Sequence, residues 1–241
     1  MNKPLIGTWI TTYNIPLAEV MSNCGFDWIC IDLEHSSISL EQLGNILLVL
    51  EKNKTFSFVR LSENNNEQIK KVLDLGAQGI IVPLITNSLE VKKIVQNVNY
   101  PPLGSRSYGF GRAHGFGYNF EKYLKNQSKK IKILIQIETL EAINNLEEIL
   151  KVGGIDGTLI GPYDLTGSLD IPGKFKNKIY LNCLLKYEKL SRKFKVPMGI
   201  HFAFPDSTLV NKSKKNGYKF IATGTDMTFL GNACKKILSN T

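Results

Sequence analysis

Asp32, Glu34 and His35 crowd the exit of an apolar run, Trp28-Ile29-Cys30-Ile31. A parallel strand buried on both faces reads as such a run, so charged residues at its exit belong at the rim of a core, where ligands bind. The design recurs along the chain. Ile133-Leu134-Ile135-Gln136-Ile137 ends in Glu138, Leu159-Ile160-Gly161-Pro162-Tyr163 leads to Asp164, and Phe56-Ser57-Phe58-Val59 ends in Arg60. Acids, a histidine and an arginine at strand exits point to a metal site that handles an anionic substrate.

Glu138 and Asp164 are expected to close neighbouring strands, so their carboxylates can reach one cation. Two carboxylates completed by waters and substrate suit Mg²⁺ or Mn²⁺ better than a soft metal. The alternative for each acid is a lysine partner or a helix cap, and Asp164 does stand near a helix start. His35 is a candidate general base, its neutral imidazole being available near pH 7. A third metal ligand or an ordinary loop histidine are the other readings. Arg60 can grip a carboxylate and neutralise a developing oxyanion, or it can pair with Asp32 or Glu34. The two roles are compatible, because an arginine pinned by acids is preorganised. Gly161-Pro162-Tyr163-Asp164 reads as a strand end turning into a helix, whose free N–H groups offer a carboxylate site. His201 ends another apolar run with no close acid in sequence and belongs to core or rim. No lysine occurs at the expected exits, which argues against Schiff-base chemistry and leaves a metal as the electron sink for carbonyl chemistry.

The elements that must position these residues are legible as a rhythm. Apolar, β-rich runs occur at Leu5–Ile10, Trp28–Ile31, Phe56–Val59, Gly79–Pro83, Ile133–Glu138, Gly157–Gly161, Pro197–Phe202 and Phe220–Thr225. Segments with helical spacing lie between them, at Ser39–Glu51, Glu67–Leu75, Thr139–Lys151, Tyr180–Phe194 and Thr208–Asn216, with Ser39 and Thr139 as N-caps. Strand alternating with helix in this way predicts a (β/α)8 barrel, whose active site lies at the C-terminal ends of the strands. A doubly wound open sheet is the alternative, but the first strand runs into Thr11-Thr12-Tyr13-Asn14 and not into a glycine-rich phosphate turn. The segment from Asn99 to Lys132 falls outside the rhythm and carries Gly109-Phe110-Gly111-Arg112-Ala113-His114-Gly115-Phe116-Gly117. A segment of this kind is a lid, a mobile loop or a subunit contact, and His114 within it is expected to be exposed. No linker or low-complexity stretch interrupts the chain, so residues 1–241 are read as a single domain.

Composition narrows the partners. A hydrophobic content of 43% and a charged content of 21% suit a globular protein. The formal charge of +9 invites a nucleic-acid reading, yet the lysines are spread in pairs such as Lys70-Lys71, Lys129-Lys130 and Lys214-Lys215 without an accompanying motif. Solvated helix faces explain them better, and the positive field can draw in small carboxylates. No stretch has the length and apolarity of a membrane span, and the N-terminus lacks a signal-peptide core. Cys24, Cys30, Cys183 and Cys234 form no C-x-x-C pair, which fits free thiols in a cytoplasmic protein.

Several segments appear in an order that resembles the HpcH/HpaI aldolase family. They are Gly25-Phe26-Asp27-Trp28 with Ile31-Asp32-Leu33-Glu34-His35, Val59-Arg60, Val72-Leu73-Asp74-Leu75-Gly76-Ala77, Tyr100-Pro101-Pro102-Leu103-Gly104-Ser105-Arg106, Gln136-Ile137-Glu138 and Gly154-Ile155-Asp156-Gly157 with Ile160-Gly161-Pro162-Tyr163-Asp164-Leu165. The resemblance implies a metal-dependent aldolase that cleaves 4-hydroxy-2-oxo acids to pyruvate and an aldehyde. It implies Glu138 and Asp164 as ligands of a divalent metal (Mg²⁺, with Mn²⁺ or Co²⁺ as substitutes), His35 as base, Asp74 as the acid that raises its basicity, and Arg60 as transition-state stabiliser. Gln136, Tyr163 and Asp164 match positions that contact the oxo-acid, the last two through backbone amides. A homo-oligomer, usually a hexamer, with the last helix exchanged between neighbours is implied as well. Tyr163 stands where a small residue is common, so its ring is expected to narrow the aldehyde pocket. An acyl-CoA lyase of the citrate or malyl-CoA type and a non-catalytic oxo-acid-binding barrel are the rival readings.

Overall fold

Side-chain alternation explains the architecture. The chain, described by a computed structural model over residues 3–126 and 130–239, has strands β1 (Leu5–Ile10), β2 (Trp28–Asp32), β3 (Phe56–Arg60), β4 (Gly79–Val82), β5 (Lys132–Ile137), β6 (Gly157–Ile160), β7 (Gly199–Phe202) and β8 (Phe220–Thr225). They pair in sequence order into a closed parallel barrel, β8 returning to β1. Successive residues of a strand face opposite sides of the sheet. One set points inward and makes a core of Trp9, Trp28, Cys30, Phe58, Ile81, Leu134, Leu159, Phe220 and Ala222. The other set, including Ile29, Ile31, Val59, Ile80, Val82, Ile135 and Ile160, packs outward against the helices. Continuing the inward parity of Trp28 and Cys30 reaches Asp32; continuing from Phe58 reaches Arg60; continuing from Leu134 reaches Gln136 and Glu138. The polar residues are therefore the uppermost layer of the barrel interior. The interior is tight enough to demand glycine at Gly7, where a Cβ would meet the Trp28 ring at 2.2 Å.

Helices follow the strands: α1 (Ile15–Asn23), α2 (Leu40–Lys52), α3 (Asn66–Asp74), α4 (Ser88–Val98), α5 (Phe120–Asn126), α6 (Leu140–Asn144), α7 (Leu146–Leu150), α8 (Pro162–Ser168), α9 (Lys178–Phe194), α10 (Ser207–Lys215) and α11 (Asp226–Leu238). Both expected caps are present. Ser39 forms a capping box with Gln42, and Thr139 accepts from the Ala142 N–H. The single helix expected over Thr139–Lys151 is instead α6 and α7, broken at Asn145. There the Asn145 side chain donates to the Thr86 carbonyl at 2.9 Å, an asparagine bonding to backbone outside the helical ladder. No helix among the described residues is long and apolar enough to cross a membrane.

The segment after α4 is packed onto the barrel. Ser105 and Arg106 donate their N–H groups back to Gln96 and Asn99 at 2.8 and 3.0 Å. A short turn over Arg112–Gly117 follows, with Gly115 and Phe116 in the left-handed region, and then α5. The expectation of an exposed His114 is corrected: the residue is buried, its Nε2 lies 2.9 Å from the Tyr100 hydroxyl and its ring meets Tyr123 edge-on at 4.4 Å. Aromatic residues around the glycines supply an apolar box that glycine content alone does not reveal. Met1, Asn2 and Lys129 lie outside the described residues.

Candidate active site

The β2 exit is built around Asp32, which is 2% exposed. Its Oδ1 accepts the backbone N–H of Glu34 at 3.0 Å and of His35 at 3.4 Å, and the Ser36 hydroxyl closes the turn on the Asp32 carbonyl. The same carboxylate receives Arg60 in bidentate fashion, Nε at 2.8 Å and Nη2 at 2.7 Å. Strand register dictates the meeting, since Asp32 and Arg60 are direct partners across β2 and β3. Burial works to raise the Asp32 carboxyl, but the Arg60 hydrogen bonds and charge, with the two turn N–H groups, outweigh it and hold the group below its ordinary value. The remaining face of the guanidinium has Glu34 Oε2 at 3.0 Å from Nη1. Beneath it lies the Trp9 ring, 4.5 Å from the guanidinium carbon, and His201 stacks on Trp9 at 4.7 Å. The His201 Nε2 is shut from solvent without a partner, and burial, then the Arg60 charge, push its pKa down to about 3. His201 is therefore a neutral ring in the floor of the site.

Glu138 and Asp164 meet on the opposite side of the rim. Glu138, just past β5, is 2% exposed. Its Oε1 accepts the Leu84 N–H at 2.7 Å and its Oε2 accepts Gln136 Nε2 at 2.6 Å. Asp164 stands in the first turn of α8 and is exposed. Gly161 lies between the two acids: a Cβ there would be 2.6 Å from Glu138 Oε2 and 3.4 Å from Asp164 Oδ2. Burial, followed by the neighbouring Asp164 and Glu34 charges, raises the Glu138 pKa to about 7. Glu34 is raised as well, by burial first, with Arg60 and His35 pulling the other way. Glu138, pressed toward neutrality by burial and by other carboxylates, is short of positive charge.

The donor set fits a hard divalent cation. It consists of carboxylate oxygens on adjacent strand exits, with the buried Gln136 Oε1 lacking any partner and thus wanting a donor such as a water or substrate hydroxyl. Among the described residues no cluster of three or more His, Cys, Asp or Glu side chains could hold a metal, so waters and substrate would complete a sphere begun by two carboxylates.

The structure brings Asp32, Glu34, His35, Arg60, Gln136, Glu138 and Asp164 to one rim. The His35 ring is open to solvent, with Nε2 at 3.9 Å from Glu34 Oε2. Asp74 is not among them within one chain. It ends α3, which runs back toward the opposite pole, and its Oδ1 pairs with the fully buried Arg106 at 2.6 Å. The Tyr163 ring packs edge-on against Phe175 at 5.0 Å, in the wall of a groove between α9 and α10. The expectation that it narrows an aldehyde pocket did not foresee this aromatic partner. Trp9 and Leu84 carry site roles that the strand-exit pattern missed. The inward parity of β1 gives a signal for Trp9. Leu84, in the left-handed region at φ 54°, gives none.

Comparison with known proteins agrees with this fold. Residues 5–233 match the HpcH/HpaI aldolase/citrate lyase family. A hydroxypyruvate/pyruvate aldolase of Sagittula stellata is 35% identical over 229 residues, covering 95% of this chain and 89% of that protein. A 4-hydroxy-2-oxo-heptane-1,7-dioate aldolase of Escherichia coli is 32% identical, covering 98% of this chain and 89% of that protein. The crystal structure of a family protein from Burkholderia cenocepacia superposes with a TM-score of 0.93 at 24% identity, over 99% of this chain and 94% of that one.

Proposed function

The chain belongs to the HpcH/HpaI aldolase/citrate lyase family, and from that premise we propose that it is a divalent-metal-dependent aldolase. It reversibly cleaves a 4-hydroxy-2-oxo acid to pyruvate and an aldehyde. The observation that carries this reading is the pairing of Glu138 with Asp164 across Gly161, on the same rim as Arg60 and His35. Glu138 and Asp164 would hold a divalent cation, Mg²⁺ or, in its place, Mn²⁺ or Co²⁺. When bound, it supplies Lewis acidity at the 2-oxo group and charge stabilisation for the enolate.

The chain's own residues do the rest. Backbone N–H groups of Tyr163 and Asp164, at the start of α8, receive the substrate carboxylate, and Gln136 contacts the oxo-acid from β5. His35, through a water, takes the proton of the 4-hydroxyl. As the C3–C4 bond breaks, its electron pair passes to the pyruvate half, and the N–H groups of Arg60 not used by Asp32 and Glu34 face the oxygen where charge develops.

Asp74 is proposed to support His35 from a neighbouring copy in a homo-oligomer, a hexamer in which α11 is exchanged. That helix supports the arrangement, because Met227, Leu230 and Ile237 on it are exposed and Asp226 is its one buried residue. Four cysteines without a disulfide among them support a cytoplasmic location.

A chelator should abolish cleavage, and Mg²⁺, Mn²⁺ or Co²⁺ should restore it. Borohydride with pyruvate should trap no adduct; a lysine adduct would overturn the reading.

A further inference from the structure

We propose that Glu34 is a positioning residue for the base of the rim, holding His35 at the proton to be removed while its own carboxylate is anchored on Arg60. The proposal rests on the aldolase reading above and assigns a role to a residue which that reading leaves idle. One carboxylate oxygen, Oε2, lies 3.0 Å from Arg60 Nη1 and 3.9 Å from His35 Nε2. The side chains differ in how they are held. Glu34 is 13% exposed and Arg60 is 11% exposed, whereas His35 is 66% exposed. The imidazole is thus free of the packing that would fix its orientation. Among the described residues no carboxylate other than Glu34 comes within ion-pair distance of that ring.

The chemistry at that position follows from charge. When His35 takes the 4-hydroxyl proton it changes from neutral to cationic. Glu34 then faces an imidazolium on one side and a guanidinium on the other. Both neighbouring charges favour the ionised carboxylate. A carboxylate beside the ring can orient it, as a third group orients a catalytic base. The other charged groups acting on Glu34 are Asp32 from β2, Arg60 from β3, Glu138 at the β5 exit and Asp164 from α8. Arg60 does not depend on Glu34 for its seat, because Asp32 already takes both Nε and Nη2. Loss of the Glu34 charge should therefore release the base and leave the oxyanion stabiliser in place.

This asymmetry gives the test. Aldol cleavage needs the base; decarboxylation of oxaloacetate generates the same enolate without a proton to remove from a 4-hydroxyl. In the Mg²⁺-loaded enzyme, Glu34→Gln should lower kcat for aldol cleavage by about 10²-fold, the low end of what general base catalysis contributes, with KM little changed. Oxaloacetate decarboxylation should fall far less, and Glu34→Asp should recover part of the aldol rate. In a His35→Ala background the glutamine substitution should cost nothing further, since the two residues act as a unit. Equal losses in both reactions, or an additive loss in the His35→Ala background, would show that Glu34 serves Arg60 or the fold and would overturn the role. A wild-type enzyme that performs neither reaction would instead remove the aldolase reading, and the Glu34 role with it.

Discussion

Arg60 is gripped on three sides, by Asp32 through Nε and Nη2, by Glu34 at Nη1 and by the Trp9 ring below. That geometry needs a planar fork, which lysine lacks. Arg60→Lys should keep the fold, read by circular dichroism, and lose about 10²–10³ in turnover, the usual cost of an oxyanion donor. Near-normal turnover with the cation still bound would reduce Arg60 to a structural partner. Asp32, Glu34, His35, Arg60, Glu138 and Asp164 were legible in the sequence because charge at the end of an apolar run is rare and directional. Trp9 was not, because its role depends on β1 lying beside β2 in space. His114 misled for a related reason. The glycines around it speak of turns, but its burial comes from Tyr100 and Tyr123, and the latter is contributed by α5.

At the scale of elements, the junction of β6 with α8 is the most demanding. Gly161 has φ −94° and ψ 96°, a conformation open to any residue, so glycine is required there by space and not by backbone strain. An added Cβ would lie 2.6 Å from Glu138 Oε2 and 3.0 Å from Glu138 Cβ. Gly161→Ala should therefore fold yet bind Mn²⁺ at least about tenfold more weakly in calorimetric titration, the effect expected when the surroundings of a ligand are disturbed. Unchanged affinity would show that Glu138 is not a ligand. The strands were readable to within a residue or two because each is a short, largely apolar run bounded by turn residues. Helix α2 announced itself through its Ser39 cap and apolar face. The break between α6 and α7 did not, since apolar spacing continues through Asn145 and the competing acceptor, the Thr86 carbonyl, comes from a distant loop. Helices α1 and α4 were not read in the sequence; in the fold they are capped by Asn14 and Asn87.

At the scale of the molecule, closure joins the two ends of the chain. Asp226, at the start of α11, accepts from the backbone and side chains of Thr11 and Thr12, and the Thr8 hydroxyl donates to the Gly224 carbonyl at 3.1 Å. The alternation of strand and helix made the barrel legible, but periodicity says nothing about what covers α11 or what Asp74 faces, because in the proposed oligomer both depend on surfaces outside one chain. The central claim is that Glu138 and Asp164 hold a divalent cation to which a small oxo-acid is brought, beside Arg60 and His35. The most direct measurement is the crystal structure of the protein with Mn²⁺ and pyruvate, with anomalous scattering to locate the metal. The account predicts a manganese peak between the Glu138 and Asp164 carboxylates, the pyruvate carboxylate on the N–H groups of Tyr163 and Asp164, and a neighbouring copy's Asp74 facing His35. Manganese bound elsewhere, or pyruvate joined to a lysine, would contradict it.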